Sequence, residues 1–324
     1  MFLPSKGKEQ LIDEIVSFYS DLNQDKLRVA RPTKVVFFCG GVISRERSDP
    51  YKSLRDYLYR SFQVRSPLKG HVVLAEEANQ LYRETDYHDL ISFEEDIAHI
   101  ASVILVVAES PGSLAELGAF ASNEHIRAKL RLILEEQYAN EESFIRFGPV
   151  ERIKRDSGEF VGFYPWRKNR SGKLVLRSAS PHKKEMIDFI NGHLDSAPKS
   201  ELLVQSANAK DMFIVYWIVF ISFAIHTKVL YKVVDAIGIG LSETKIRNIL
   251  YCLQLVGWIR VLSYSGKDYF YALIDRDPFD YSFKDGAAVS DSSRRKADIA
   301  QAISRATPLP RHVKQTVANS RLLS

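Results

Sequence analysis

The sequence predicts an α/β protein: a parallel sheet with helices on both faces, followed by a second domain of helices and a hairpin. Two observations predict it. Short, fully apolar runs alternate with amphipathic stretches as far as residue 136. Strands covered on both faces read as continuous apolar runs, and their alternation with helices implies parallel crossovers. From about residue 196 the texture changes to helix, helix, turn, helix and two alternating strands. The length of 324 residues fits two domains, and an apolar content of 45% allows a sizeable core.

The first element is a helix over 8–24, where Leu11, Ile15, Phe18 and Leu22 share one face. KVVFFCGG (34–41) is an apolar strand ending in a glycine pair, and YKSLRDYLYRSF (51–62) is helical. HVVLAEEA (71–78) begins with a short strand. DLISFEEDIAHIA (89–101) is a helix with Leu90, Phe93, Ile97 and Ile100 on one stripe. SVILVVAES (102–110) is a strand, PGSLAELGAFASNEHIRAKL (111–130) a helix, and RLILEE (131–136) another strand. In such sheets ligands bind beyond the carboxyl ends of the strands. The residues to watch are therefore Gly40-Gly41, Glu76-Glu77 and the segment after Ala108.

Met212–Ile225 is 14 residues without a charge, too short for the roughly 20 apolar residues of a membrane span. It reads as a buried helix. Ser242 is placed to cap the helix that follows the GIGLS turn, with Ile246, Ile249, Leu250 and Leu253 facing inward. WIRVLSYSGKDYFYALI reads as a hairpin around Ser265-Gly266-Lys267. This order outlines a winged helix-turn-helix. Its second helix would offer Lys245, Arg247 and Asn248 to a DNA groove, with Lys267 on the wing. A winged helix that only binds protein fits the pattern equally. After Phe283 the chain turns polar and basic and is expected to be mobile.

The net charge is +5, and it is unevenly placed. Residues 146–184 hold eleven Lys/Arg against three acids, and 284–324 hold eight against three. Such patches point to a nucleic acid or another polyanion, or else to solvated loops. Cys39 and Cys252 lie far apart with no C-x-x-C, which excludes a disulfide framework and suits a reducing cytosol. MFLPSKGKEQ lacks the apolar region of a signal peptide. G-x-G-x-x-G, Walker, H-E-x-x-H and G-x-S-x-G motifs are missing, which argues against the usual dehydrogenase, ATPase, zincin and hydrolase chemistries. No metal site is expected.

Glu116, in ESPGSLAELGAF (109–120), has two readings. Ser113-x-x-Glu116 has capping-box spacing, and Pro111 sits where helix starts tolerate proline. Alternatively, a carboxylate in the first turns after a central parallel strand reaches the ligand crevice. There it can attack an anomeric carbon. Ser110, Gly112 and Ser113 would then offer hydroxyls and backbone N–H groups to an anion.

The other candidates are weaker. Gly40 and Gly41 let the first loop pass close to a ligand, or simply make a turn. Glu76 or Glu77 could hold ribose hydroxyls. Of Glu94, Glu95 and Asp96, Asp96 is the choice for a site role. His99 and His125 need a partner before either counts as an acid or base. Asn123 and Glu124 lie seven and eight residues past Glu116, on its face, and could reach a neighbouring subunit. Cys39 reads as a buried strand residue.

CGG after the first strand, the acidic segment at 94–96, and ESPGSLAELGAF with SNE and FGPV together resemble the effectors that accompany some bacterial retrons. The resemblance is strongest over 34–150 and architectural beyond. It implies a nucleoside deoxyribosyltransferase-like domain over 1–150, a basic connecting segment over 151–195, a winged helix-turn-helix domain over 196–283 and a basic tail over 284–324. In the deoxyribosyltransferases the Glu of a similar ELG segment attacks C1′ of the sugar, and that residue corresponds to Glu116. The resemblance further implies an N-glycosidase that hydrolyses NAD, as substrate rather than cofactor, to nicotinamide and ADP-ribose. The toxin would be restrained by a reverse transcriptase and multicopy single-stranded DNA, and phage infection would release it in the cytoplasm. A homo-oligomer or higher assembly is expected, without a membrane. The SPGS segment departs from the transferases, which tend to carry an Asp there, and this weighs against nucleobase salvage. A nucleoside or nucleotide N-glycosidase, a deoxyribosyltransferase, or a non-enzymatic nucleotide-sensing DNA-binding regulator are the alternatives.

Overall fold

The computed structural model describes residues 5–44, 46, 48–64, 67–77, 87–306 and 309–322. The strands are β1 (Arg28–Val29), β2 (Val35–Cys39), β3 (His71–Leu74), β4 (Val103–Val107), β5 (Leu130–Glu135), β6 (Val161–Tyr164), β7 (Glu201–Leu202), β8 (Ile225–His226), β9 (Ile259–Tyr264), β10 (Lys267–Ala272) and β11 (Phe279–Asp280). The chain divides into two units. One comprises Thr33–Gln80 and Leu90–Ala197; the other comprises Met1–Pro32, Leu81–Asp89 and Pro198–Ser324.

The first unit is built on a five-stranded parallel sheet of order β3-β2-β4-β5-β6. All five residues of β2 and of β4 are buried, as their unbroken apolar sequences require. Side chains alternate between faces. Val36, Phe38, Val103, Leu105 and Val107 meet the Leu54–Gln63 helix and the Lys183–Ser196 helix in one core. Phe37 is on the opposite face, its ring 6.2 Å from that of Phe120 in the Pro111–Ser122 helix. Cys39 shares the Phe37 side by the same alternation. The chain runs from β2 outward to β3, then back past β2 to β4. The order of strands therefore reverses between β2 and β4, and a crevice opens beyond the carboxyl ends of those two.

The sheet takes in more chain than the sequence reading gave it. Residues 151–195, read as a connecting segment, supply β6 as the fifth strand. They also supply the helix that buries Met186, Ile187, Ile190 and Leu194. The basic residues hid this, because the apolar positions lie between them.

Residues 5–32, read as the start of the sheet domain, belong to the other unit. β1 pairs antiparallel with both β7 and β11. Phe18 stacks on Tyr281 at 5.1 Å and meets Trp217 edge-on at 5.4 Å. The Lys210–Ile221 helix buries Met212 through Val219 without interruption, as its sequence predicts. Ser242 accepts from the N–H of Lys245 and caps the Glu243–Leu255 helix. Ile246, Ile249, Leu250 and Leu253 of that helix are all buried. The hairpin joins Tyr264 to Lys267 through a two-residue turn. Ser265 and Gly266 take φ of +51° and +69° there, the combination a tight hairpin turn needs. β8 pairs with β10 as the third strand of that sheet.

Two expectations change in this unit. Asn248, expected to face outward, is 6% exposed; it lies beside the buried Ile249 on the inner side of its helix. The segment after Phe283 is not simply a mobile tail. Ser292–Ala306 and Arg311–Leu322 are helices. They bury Ile299, Ala302, Val313 and Val317, and Val313 and Val317 join Tyr269 and Tyr271 of β10. Arg295 is 5% exposed and ion-paired with Asp21, and its Nη1 donates to Ser17 Oγ at 3.0 Å. A sparse apolar stripe at helical spacing was outweighed in the sequence by surrounding charge. Among the described residues no helix is long and apolar enough to cross a membrane.

Breaking a mostly buried ion pair by removing one partner costs several kcal/mol. Arg295→Ala should therefore destabilise the protein by roughly 3 kcal/mol in a urea titration. A loss below about 0.5 kcal/mol, the scale of ordinary surface substitutions, would return this segment to a mobile tail.

Candidate active site

The site grows from the crevice between β2 and β4. β2 ends at Cys39, and Gly40 and Gly41 follow. A Cβ on Gly40 would lie 2.7 Å from Arg55 Cδ, and one on Gly41 would lie 2.6 Å from Ser53 Cβ and 2.9 Å from the Glu109 carboxylate. The glycine pair is thus required by close packing against the start of the Leu54–Gln63 helix. Glu109, just after β4, fixes that contact. Its side chain is fully buried. It accepts from the N–H groups of Gly41 (3.1 Å), Leu54 (2.8 Å) and Arg55 (2.9 Å). Leu54 and Arg55 open their helix, so the carboxylate satisfies N–H groups that lack intrahelical partners. Lys168 Nζ, from the basic stretch, turns inward. It donates to the Glu109 carbonyl at 2.5 Å and lies 3.6 Å from the carboxylate.

Arg55 is held by that helix start and is 1% exposed. Its two terminal nitrogens donate to Glu76 Oε1 and Oε2, each at 2.5 Å. They also donate to the carbonyls of Phe38 (2.6 Å) and Gly41 (3.3 Å). Glu76, which follows β3, is the half-exposed partner of this bidentate pair.

The structure decides the capping question. Ser110, not Ser113, is the N-cap of the Pro111–Ser122 helix. Ser110 Oγ accepts from the Ser113 N–H at 3.2 Å, and Ser113 Oγ accepts from the Ser110 N–H at 3.0 Å. Two serines complete the box, and Glu116 has no part in it. Glu116 stands one turn further on, and its Oε2 is buried without a hydrogen-bond partner among the described residues. Burial pushes its carboxyl above the usual 4.5; Arg55 opposes the rise, Glu76 adds to it, and a hydrogen bond from Cys39 lowers it.

Glu94 is the second carboxyl of the cluster. Burial, and then the charge of Glu116, push it up to about 8. Burial first and Glu116 next also push the Cys39 thiol well up, which keeps it a neutral thiol. The cluster therefore combines a dehydrated carboxylate with an open oxygen, a carboxyl that holds its proton near neutrality, a thiol donor and a buried guanidinium. Such a set can attack an electrophilic carbon and donate a proton.

Glu116, Glu76, Cys39 and the glycine pair come together, the glycines by packing on protein; Cys39, read from the sequence as a buried strand residue, is buried and hydrogen-bonds Glu116. Asp96, the choice among three acids, is buried on its helix; the residue whose carboxyl feels the charge of Glu116 is Glu94, two positions earlier. Asn123 caps the short Glu124–Arg127 helix, accepting from His125 and Ile126 N–H groups at 3.1 and 3.3 Å, rather than presenting its oxygen to a ligand. Gly112 is exposed, with open space where a Cβ would stand. Ser110 Oγ also donates to the Gly40 carbonyl at 3.3 Å, which joins the two loops. Arg55 and Glu109 were missed. Glu109 carried one signal, an acid closing an apolar strand just before a capping serine; Arg55 carried none.

A family model described as STM3845 retron effector protein matches residues 51–261, more than half of the chain. The chain belongs to the STM3845 retron effector family. This retron effector is 31% identical over 154 residues to the "Retron Ec86 putative ribosyltransferase/DNA-binding protein" of Escherichia coli. That match covers 47% of this chain and 43% of the relative, so less than half of the relative is spanned. It is 26% identical over 260 residues to the "Retron Ec73 putative ribosyltransferase/DNA-binding protein" of Escherichia coli, covering 77% of this chain and 80% of the relative.

The two glutamates Glu109 and Glu116 should behave oppositely in thermal melts. Glu109→Ala leaves three backbone donors without an acceptor and should cost about 2–5 kcal/mol. Glu116→Gln removes a carboxylate with an unpartnered oxygen and should leave the melting temperature unchanged or raised. A large loss in Glu116→Gln would make Glu116 a structural residue.

Proposed function

We propose that this retron effector is an N-glycosidase that hydrolyses NAD to nicotinamide and ADP-ribose, with Glu116 as nucleophile. The observation that carries the proposal is the buried, unpartnered Glu116 Oε2 at the switch point of the sheet. A carboxylate kept partly dehydrated and uncapped is disfavoured for stability and suited to attack. Glu116 attacks the ribose C1′, and the C1′–N bond breaks. The electron pair of that bond neutralises the pyridinium ring, so nicotinamide leaves without being protonated. Water then displaces the sugar, regenerates the carboxylate and releases a proton. Arg55 holds Glu76 at the mouth of the crevice, where that carboxylate can meet ribose hydroxyls.

The names of the Ec86 and Ec73 relatives, which give ribosyl transfer and DNA binding, support this reading. The three helices and hairpin of the second unit are read as a winged helix-turn-helix. Lys245 and Arg247 stand on its second helix, and Lys267 opens β10 of the wing. Arg247 lies 3.9 Å from Glu243 and would have to exchange that contact for a phosphate. Membership of a retron effector family supports a reverse transcriptase and multicopy single-stranded DNA as the restraining partners.

One observation favours a second reading. Glu94, with its proton retained up to about 8, could protonate a neutral leaving base, which a nucleoside or nucleotide requires and NAD does not.

Glu116→Gln, folded as the wild type, should lower nicotinamide release from NAD by roughly a thousandfold or more. Release unchanged in Glu116→Gln would sink the nucleophile and favour a nucleotide-sensing regulator. The pH profile separates the substrates. In either case the rate climbs as Glu116 ionises, above the ordinary 4.5. With NAD it should stay level through pH 8, whereas with a neutral leaving base it should fall as Glu94 loses its proton near 8. Glu94 also sets a stability trend. Its folded value lies above its unfolded one, so stability is lost as pH rises from about 4.5 to about 8. Glu94→Gln should melt a few degrees higher than the wild type at pH 9 and alike at pH 4.

A further inference from the structure

A second cavity, of about 240 Å³, lies in the sheet unit beyond the carboxyl ends of β4, β5 and β6. It is lined by Leu114, Leu134, Val150, Trp166, Arg146 and Lys168, among others. No member of the Glu116 cluster lines it. Leu114 and Glu116 sit about 200° apart around their shared helix, so the cavity and the cluster flank that helix on different sides.

Two polar groups in its wall lack partners. Trp166 is 2% exposed, and its Nε1 is buried with no acceptor among the described residues. Arg146 Nε is likewise buried without one. Arg146 opens a π-helical turn, Arg146–Val150, and both ends of that turn line the cavity. Such turns are uncommon and recur at functional sites. A buried N–H without an acceptor is costly unless a ligand or water supplies one.

We propose that this cavity binds an uncharged, planar nitrogen heterocycle, a nucleobase or nicotinamide, which accepts hydrogen bonds from Trp166 Nε1 and Arg146 Nε. The apolar wall of Leu114, Leu134, Val150 and Trp166 fits a ring, and the two N–H groups call for acceptor atoms on its edge. Arg146 and Lys168 are balanced by Glu109, Glu135 and Glu141 in the same wall, which disfavours a phosphorylated ligand. The volume falls below the roughly 300–1,000 Å³ of pockets for drug-sized ligands, which suits a single ring system rather than a dinucleotide. Glu109 and Lys168 belong to this wall and also brace the loop and helix that carry Arg55, so the ligand sits one contact from the Glu116 cluster. The inference does not depend on the N-glycosidase reading.

The test uses the full chain with ¹⁵N-labelled tryptophan. Its three tryptophans give three indole N–H resonances, and Trp166→Phe assigns the relevant one. Adenine, hypoxanthine and nicotinamide are titrated separately, with AMP as the charged control. The expected result is that one uncharged probe shifts the Trp166 resonance and AMP does so at least tenfold more weakly. Trp166→Phe should weaken binding of that probe about tenfold, as for loss of one buried hydrogen bond. Arg146→Met should weaken it similarly, and serves if the tryptophan variant misfolds. Glu116→Gln should leave it intact. No shift with any probe at millimolar concentration would overturn the proposal, as would binding that vanishes in Glu116→Gln and survives in Trp166→Phe.

Discussion

The candidate site depends on the carboxylate of Glu109. Three backbone N–H groups from two segments converge on it, from Gly41 in the loop after β2 and from Leu54 and Arg55 at the start of the next helix. Hydrogen bonds to a buried carboxylate are stronger than neutral ones, and each donor would be left unsatisfied without it. By fixing that helix start, Glu109 fixes the Arg55 guanidinium, which in turn holds Glu76 and faces the field of Glu116. The Arg55–Glu76 pair beside Glu116 is thus set by a residue outside the pair.

Charge is divided among the acids of the crevice by environment. Glu109 is surrounded by donors, and Glu76 by the fork of Arg55. Glu116 and Glu94 receive burial with less compensation, and the charge of Glu116 adds to the rise of Glu94. The arrangement lowers stability locally, which a core of strands buried on both faces can sustain.

Much of the sheet unit was legible because β2, β4 and β5 are short apolar runs with no competing signal. The position of Glu116 after a central strand followed from the pattern, but its choice over a capping role rested on the resemblance of the ELG segment to the deoxyribosyltransferases. β6 was not legible, because VGFY carries one glycine and lies inside a basic stretch. The helices of 292–322 were missed for a similar reason: isolated Ile299, Val313 and Val317 fill the core from among many charges. Within the site, the capping box was misassigned because Ser110 and Ser113 both stand near the helix start, and the sequence does not say which one begins it. Asp96 was chosen over Glu94 although Glu94, four residues after Leu90 and three before Ile97, borders the apolar stripe. Arg55 was invisible, since its partner Glu76 follows another strand.

The most direct test is to trap the glycosyl-enzyme. A 2-fluoro analogue of NAD slows turnover of a sugar ester, and digestion with mass spectrometry locates the modified peptide. The account predicts an ADP-ribosyl-type adduct on the peptide containing Glu116, absent in Glu116→Gln. An adduct on another residue, or steady release of nicotinamide with Glu116 never modified, would contradict it.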